Sequence, residues 1–266
     1  MRDYKSVFGG SLLLVEDDPI NADIACRMLQ KMGMHVHMAV GGDHAIACWQ
    51  REEFGLVLMD CEMPGKDGFE TTRQIRELER RKASHTPVVA LTAHAAADVR
   101  GKCLSAGMDD LLEKPVRDAQ MAALLRRWMP DSALDGASGM DNLAAARMHG
   151  SIDCAALDQV AAFRGPGGRS LLQTLAARFA QNSLKQVREM QRTGASGEIR
   201  RIAHTLKSSS AALGALRVSK CCAQIETHAG EPARLAGFLP ALENELASAV
   251  KSLLELTQDK GGPVHG

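Results

Sequence analysis

Aromatic residues are scarce: two Trp, one Tyr and six Phe make up 3% of 266 residues. A chain so poor in rings has few platforms on which the bases of single-stranded nucleic acid can stack. Charge offers no alternative grip, because 32 Lys and Arg are balanced by 32 Asp and Glu, leaving no basic field for nucleic acid or an anionic membrane. No apolar run approaches the roughly 20 residues needed to span a bilayer. The seven cysteines form no CxxC pair, and an odd number without a signal peptide predicts reduced thiols in the cytoplasm. Cys26, Cys48, Cys103 and Cys154 lie among apolar helical positions and read as core fillers, not metal ligands. A glycine-rich nucleotide loop is also missing, as is the length to build an ATP-binding domain, so this chain is not expected to use ATP by itself.

What is present is a hydrophobic fraction of 45%, enough for two cores of ordinary size. Residues 1–10 read as a tail. Ser11 to Val15 is then a short apolar run followed at once by Glu16, Asp17 and Asp18. Clustered carboxylates repel one another and contribute little to packing, so three of them closing a buried strand call for a cation. Pro19 suits the first turn of a helix that Asp18 caps and Gly33 ends. His35 to Ala39 predicts a strand; His35 and His37 alternate on one face there, but no third ligand for zinc stands nearby, so they read as partly exposed strand residues. A helix opened by Gly41 and Gly42 and running through Trp49 to Arg51 precedes Leu56 to Met59, an apolar run that delivers Asp60 at its end. A helix over 68–82, a strand Val88 to Leu91 ending in Thr92, and an Ala-rich helix near 98–106 follow. A last short strand near Asp110 to Leu112 runs into Glu113, Lys114 and Pro115, before a helix to about Met129. Strand and helix thus alternate five times, which predicts a parallel sheet with helices on both faces. Right-handed crossovers place every strand's C-terminal end at one edge. Glu16, Asp17, Asp60, Thr92 and Lys114 all fall there.

Three carboxylates can hold Mg2+, an oxygen-seeking cation that keeps several waters and bridges a carboxylate to a phosphoryl group. A phosphoryl group on Asp60 would have its charge met by that metal, by the Lys114 ammonium and by the Thr92 hydroxyl. An acidic strand-end loop with no ligand would leave the lysine and threonine at two other strand ends as coincidences. The motifs LLLVEDDPIN, LVLMDCEMPGKDGFE, VVALTAHA and EKPV, in this order, resemble the receiver domain of two-component response regulators and hybrid sensor kinases, over residues 11–129. The resemblance implies a flavodoxin-like α/β fold with a five-stranded parallel sheet. It implies that Asp60 accepts phosphate, that Glu16 and Asp17 bind Mg2+ with Asp60 and the backbone of Glu62, and that Thr92 and Lys114 are the switch and charge-pairing residues. Many receivers have a switching aromatic three residues before the lysine; here that position is Leu111, which argues against an aromatic-rotation output. Glu62 and His94 flank the Asp60 pocket and are expected to tune hydrolysis.

From Pro130 to about Ser151 the pattern breaks down into a linker, with at most one helical turn near Leu143 to Met148. Strand signals stop there. Helical spacing dominates over residues 152–258: a short piece to Phe163, a break at Gly165 to Gly168, a long helix from Ser170 to Arg192, one over Ile199 to Leu213, one from Leu216 to His228, and one from Pro232 to about Gln258. Residues 259–266 read as a tail. Long antiparallel helices with short joints predict an all-α four-helix bundle with a small extra helix in front. On the third of these segments Ile199, Ile202, Ala203, Leu206, Ser210 and Leu213 share one side, which points His204, Lys207, Ser208 and Ala211 away from the core. Lys207, one turn on, places a positive charge beside whatever the imidazole carries, and the small Ser208 and Ala211 leave room for another protein. AHTLKSSSAALGA resembles the phosphoacceptor motif of a histidine phosphotransfer (HPt) domain, with LLQTLAARFAQN before it and VSKCCAQIETHA after it in agreement. The resemblance implies that His204 receives a phosphoryl group and Lys207 stabilises it; where that family often has glycine, this chain has Ser208.

Together the two halves predict a phosphorelay: from a sensor kinase histidine to Asp60, from Asp60 to His204, and onward to the receiver of a downstream response regulator. Two rivals are a regulatory interaction protein, in which Asp60 phosphorylation only changes domain contacts, and a phosphate sink that drains the kinase. The chain is expected in the cytoplasm, either free-standing or tethered through a longer hybrid kinase.

Overall fold

The computed structural model describes residues 10–82, 84–93, 96–130, 148–161 and 170–258. The chain divides into two compact units, the first ending at Asp141 and the second beginning at Asn142.

The first unit is a five-stranded sheet flanked by helices. Its strands are β1 (Ser11–Val15), β2 (His35–Ala39), β3 (Leu56–Asp60), β4 (Val88–Thr92) and β5 (Asp110–Glu113), in the order β2-β1-β3-β4-β5. Every pairing is parallel, with Leu13 opposite both His37 and Val57, and Asp60 opposite Leu91. Side chains alternate across a strand, so each apolar run feeds two cores. Leu13, Val15, Val57, Met59, Val88 and Ala90 join Ile46, Trp49, Ile75 and Cys103 from helices α2 (Gly42–Arg51), α3 (Gly68–Lys82) and α4 (Ala97–Ala106). Leu12, Leu14, Leu56, Leu58, Val89 and Leu91 join Met28, Leu29, Met121 and Leu125 from α1 (Pro19–Lys31) and α5 (Asp118–Trp128). Continuous burial on both faces explains why these strands read as unbroken apolar runs. The connections leave β1 towards β2 on one side and towards β3 on the other, so the crevice at the switch of direction opens beyond the C-terminal ends of β1 and β3.

The opposite edge is pinned by Arg76 of α3. Its guanidinium donates to Glu79 (2.6 Å), Asp109 (2.6 Å) and the carbonyls of Gly107 and Thr86 (both 2.8 Å). The same two carboxylates accept the amides of Thr86 and Val88, so one arginine fastens the N-terminal ends of β4 and β5 to α3.

In the second unit Met148–His149 (β6) and Ile152–Asp153 (β7) form an antiparallel pair, where the sequence predicts no strand and places Met148 at the end of a helical turn. Two-residue strands are too short to show a period; these are held by their surroundings. The Ser151 amide donates to Ser252 Oγ, and the Asp153 amide to the Gly214 carbonyl. Gly214 sits at φ +72°, with Asp153 O only 2.3 Å from where a Cβ would be, so only glycine permits this crossing. Helix α6 (Cys154–Ala161) leads to α7 (Leu171–Arg192), α8 (Ser196–Ala212), α9 (Leu216–Thr227) and α10 (Pro232–Gln258). The four long helices pack in a ring, each against the next and α10 back onto α7, around Leu175, Phe179, Ile202, Leu206, Val218, Ile225, Leu246 and Leu253. Ser170 caps α7 through the Gln173 amide and receives the Gln173 side chain in return.

Several sequence-based expectations lie outside the described residues: the 1–9 tail, His94, the linker turn over 143–147, Phe163, the Gly165 to Gly168 break and the 259–266 tail. Among the described residues no helix is long and apolar enough to cross a membrane.

Candidate functional site

At the crevice, β1 ends in Glu16 and Asp17 and β3 in Asp60. Lys114 follows β5, its amide bonded to the Thr92 carbonyl at 2.7 Å, and its side chain turns back into the crevice. There Lys114 Nζ lies 2.6 Å from Glu16 Oε2 and 2.8 Å from Asp60 Oδ2. Glu16 Oε1 takes a second bond from Asn21 Nδ2 at 3.3 Å, and Asp60 Oδ1 takes the Glu62 amide at 3.2 Å. Thr92, buried, closes β4 beside this group. Asp18 stands aside from the cluster: its Oδ1 accepts the Ile20 and Asn21 amides, both at 2.9 Å, and caps α1. The loop after Asp60 returns tightly, because the Gly68 amide reaches the Cys61 carbonyl at 3.1 Å. A Cβ on Gly68 would lie 2.1 Å from the Asp60 carbonyl oxygen, so glycine is what lets α3 start against the strand end.

One ammonium shared among several buried carboxylates leaves an excess of negative charge. Burial, and then the charge of Asp60, push Glu16 well above the usual carboxylate range, with Lys114 opposing. The same causes raise Asp17 to about 6, and burial raises Asp18 against the two amide bonds that favour its charge. Burial works to lower Lys114, but Glu16 and Asp60 outweigh it and hold the ammonium firmly charged. Oxygens of Glu16, Asp17 and Asp60 all lie within 4.8 Å of one another. An all-oxygen set that resists full ionisation fits a hard divalent cation such as Mg2+. Leu111, at the position where an aromatic switch would stand, packs against the core shared by α2, α3 and α4.

In the second unit Ile199, Ile202, Ala203, Leu206 and Ser210 of α8 are buried as the spacing predicts. Beside His204 and Lys207 stands a carboxylate that the helical spacing of α8 does not reveal. Glu226 of α9 places Oε1 2.9 Å from His204 Nδ1 and Oε2 2.5 Å from Lys207 Nζ. Burial would raise the Glu226 pKa, but the bonds and charges of His204 and Lys207 prevail and lower it to about 2. Arg200, one turn before His204, donates from Nε to the Glu226 carbonyl at 3.3 Å and steadies that end of α9. Ser209 and Ser210 return their hydroxyls to carbonyls of their own helix, which satisfies them inside the bundle without a partner helix.

Comparison with known proteins supplies the family. The response regulator receiver domain family matches residues 12–126, and the Hpt domain family matches residues 169–256. The chain carries a receiver domain followed by an Hpt domain. Over 118 residues it is 43% identical to the sensor protein GacS of Pseudomonas syringae, covering 44% of this chain and 13% of that protein. Over 124 residues it is 36% identical to the signal transduction histidine-protein kinase BarA of Escherichia coli, covering 47% and 13%. The matched part of the chain therefore covers about an eighth of the length of these curated relatives. Among solved structures, the receiver domain of sensor histidine kinase PA1611 from Pseudomonas aeruginosa, with a magnesium ion coordinated in its active site cleft, is 39% identical over 45% of this chain and 97% of its own, with a TM-score of 0.42. The Saccharomyces cerevisiae complex of the histidine phosphotransfer protein Ypd1 with the receiver domain of Ssk1 gives 29% identity over 49% of this chain and 96% of the other, with a TM-score of 0.45.

Proposed function

We propose that this chain is a phosphorelay module that takes a phosphoryl group from the histidine of a sensor kinase onto Asp60, moves it to His204, and delivers it to the receiver of a separate response regulator. The observation that carries this reading is the presence, in one chain, of two matched acceptors: a carboxylate beside a fixed ammonium and a histidine whose ring is oriented by a carboxylate. Glu16, Asp17 and Asp60 would hold Mg2+, with the Glu62 backbone completing the set. When bound, that ion supplies positive charge to the oxygens of the phosphoryl group during transfer.

The protein's own groups do the rest. The attacking oxygen belongs to Asp60, and Lys114, already bonded to it, is placed to neutralise charge on the arriving group. Thr92 lines the same pocket with its hydroxyl. In the bundle, Glu226 accepts the Nδ1 proton of His204, which leaves the Nε2 lone pair as the nucleophile, while Lys207 offers charge to the phosphoryl oxygens. Neither half requires ATP once a phosphorylated partner supplies the group. The chain is read as cytoplasmic, with an upstream kinase and a downstream receiver as partners.

Acetyl phosphate with Mg2+ tests the order of transfer. The unsubstituted two-domain chain should gain a base-stable, acid-labile phosphoryl group on His204, and Asp60→Asn should gain none. Equal label on His204 in both proteins would refute the scheme.

A further inference from the structure

The partner of His204 Nδ1 is a carboxylate. A carbonyl or amide oxygen at 2.9 Å would fix the tautomer of the neutral ring equally well. A full negative charge does something more, because it also acts when the ring itself becomes positive. Building on the reading of His204 as a phosphoacceptor, we propose that the charge of Glu226 keeps phosphorylated His204 protonated at Nδ1, so that it remains a competent phosphoryl donor at neutral and mildly alkaline pH.

The chemistry makes this proton decisive. In the first step the Nε2 lone pair attacks phosphorus, the bond from phosphorus to the Asp60 carboxyl oxygen breaks, and its electrons leave on the carboxylate. Nδ1 keeps its proton throughout, so the product ring is a phosphoimidazolium with one positive charge. In the onward step the carboxylate of the next receiver attacks phosphorus, and the electrons of the P–N bond return to Nε2, restoring a neutral imidazole. No proton enters or leaves in either step. Had Nδ1 lost its proton in between, the leaving group would be an imidazolate anion, a far poorer one, and the phosphoryl group would be stranded on His204.

The surroundings suit this role. Within the second unit the charged groups about the ring are Glu226 on α9, Lys207 one turn onward on α8, and Arg200 one turn before, bonded to the Glu226 backbone. The Cys222 thiol, one turn before Glu226, is kept protonated by burial. The opposite face of α8, with Ile199, Ile202, Ala203 and Leu206, is apolar. Glu226, with a pKa of about 2, does not take the proton for itself. Lys207 shares the carboxylate, which weakens its pull on the ring and sets the expected shift near about one pH unit, at the low end for a close opposite charge.

The test uses the full chain, loaded with acetyl phosphate and Mg2+, then exchanged into EDTA and titrated by 31P NMR. The Nδ1 midpoint of phosphorylated His204 should lie about one pH unit higher in wild type than in Glu226→Gln, and, with Mg2+ restored in excess over the EDTA, transfer to an added receiver domain at about pH 8 should be roughly tenfold slower in the variant, with little difference near pH 6. Equal midpoints, or a rate deficit that does not change with pH, would overturn the proposal. A midpoint in the wild-type chain no higher than that of a phosphohistidine peptide under the same conditions would overturn it independently of any variant. Complete absence of phosphohistidine after loading would instead refute the relay reading on which it rests.

Discussion

Replacing Asp17 by Asn should stabilise the receiver domain at neutral pH in the absence of divalent metal. Burial and the neighbouring Asp60 raise Asp17 from its ordinary 3.8 to about 6. A folded state that holds its proton more tightly than the unfolded chain loses stability as pH rises between those values, because the unfolded state has by then released the proton. The penalty is therefore fully developed above about pH 6 and is relieved progressively as the pH falls towards 3.8. At about 1.4 kcal/mol per unit the shift corresponds to about 3 kcal/mol, and since the side chain is only partly buried, solvent screening reduces the expected value to about 2 kcal/mol.

Both tryptophans of the chain, Trp49 and Trp128, lie in the first unit, so their fluorescence reports receiver unfolding within the two-domain chain. With a urea slope of about 2 kcal/mol/M, Asp17→Asn should raise the midpoint by about 1 M at pH 8 without metal. By about pH 5 wild-type Asp17 is largely protonated when folded, and the advantage should be roughly halved. Mg2+ should then raise the wild-type midpoint at pH 8, since it binds only the folded state, and raise that of the variant much less. A variant no more stable than wild type at pH 8, or equally advantaged at both pH values, would show that the acidic cluster is not under electrostatic strain.

Two further substitutions probe what positions the crevice. Gly68→Ala pushes a Cβ to 2.1 Å from the Asp60 carbonyl; the backbone must give way, so a loss of about 2–3 kcal/mol in the same urea assay is expected, together with slower loading by acetyl phosphate. Unchanged loading would mean that the loop after Asp60 does not set its orientation. Arg76→Ala removes the guanidinium from Glu79, which is 3% exposed, and from Asp109, leaving them the Thr86 and Val88 amides and His85, and should cost about 3 kcal/mol. Arg73→Ala, on the exposed side of the same helix, should change stability by no more than about 0.5 kcal/mol; similar losses from both would refute the network.

The two domains were not equally legible, and the difference is physical. In the receiver, the strands are buried on both faces and announce themselves as apolar runs, and parallel connection with right-handed crossovers carries their C-terminal ends to one edge. Lys114 could therefore be placed beside Glu16 across 98 residues by topology alone. The Arg76 network at the other edge was invisible, because Arg76, Glu79 and Asp109 look in sequence like ordinary helix and loop charges. In the bundle, topology says only that α8 and α9 are neighbours. Whether Glu226 or the residue one turn away meets His204 depends on the rotation and axial offset of the two helices, which are set by how Ile202, Leu206, Val218 and Ile225 interlock. A helical period of 3.6 residues identifies the face of a helix and leaves its height against the partner open. For that reason the histidine and lysine could be found from their spacing on a single helix, while the carboxylate that binds both of them needed the packed structure. The same dependence ties function to packing: truncating a core side chain at the α8–α9 seam would move Glu226 relative to His204 before it unfolded the bundle.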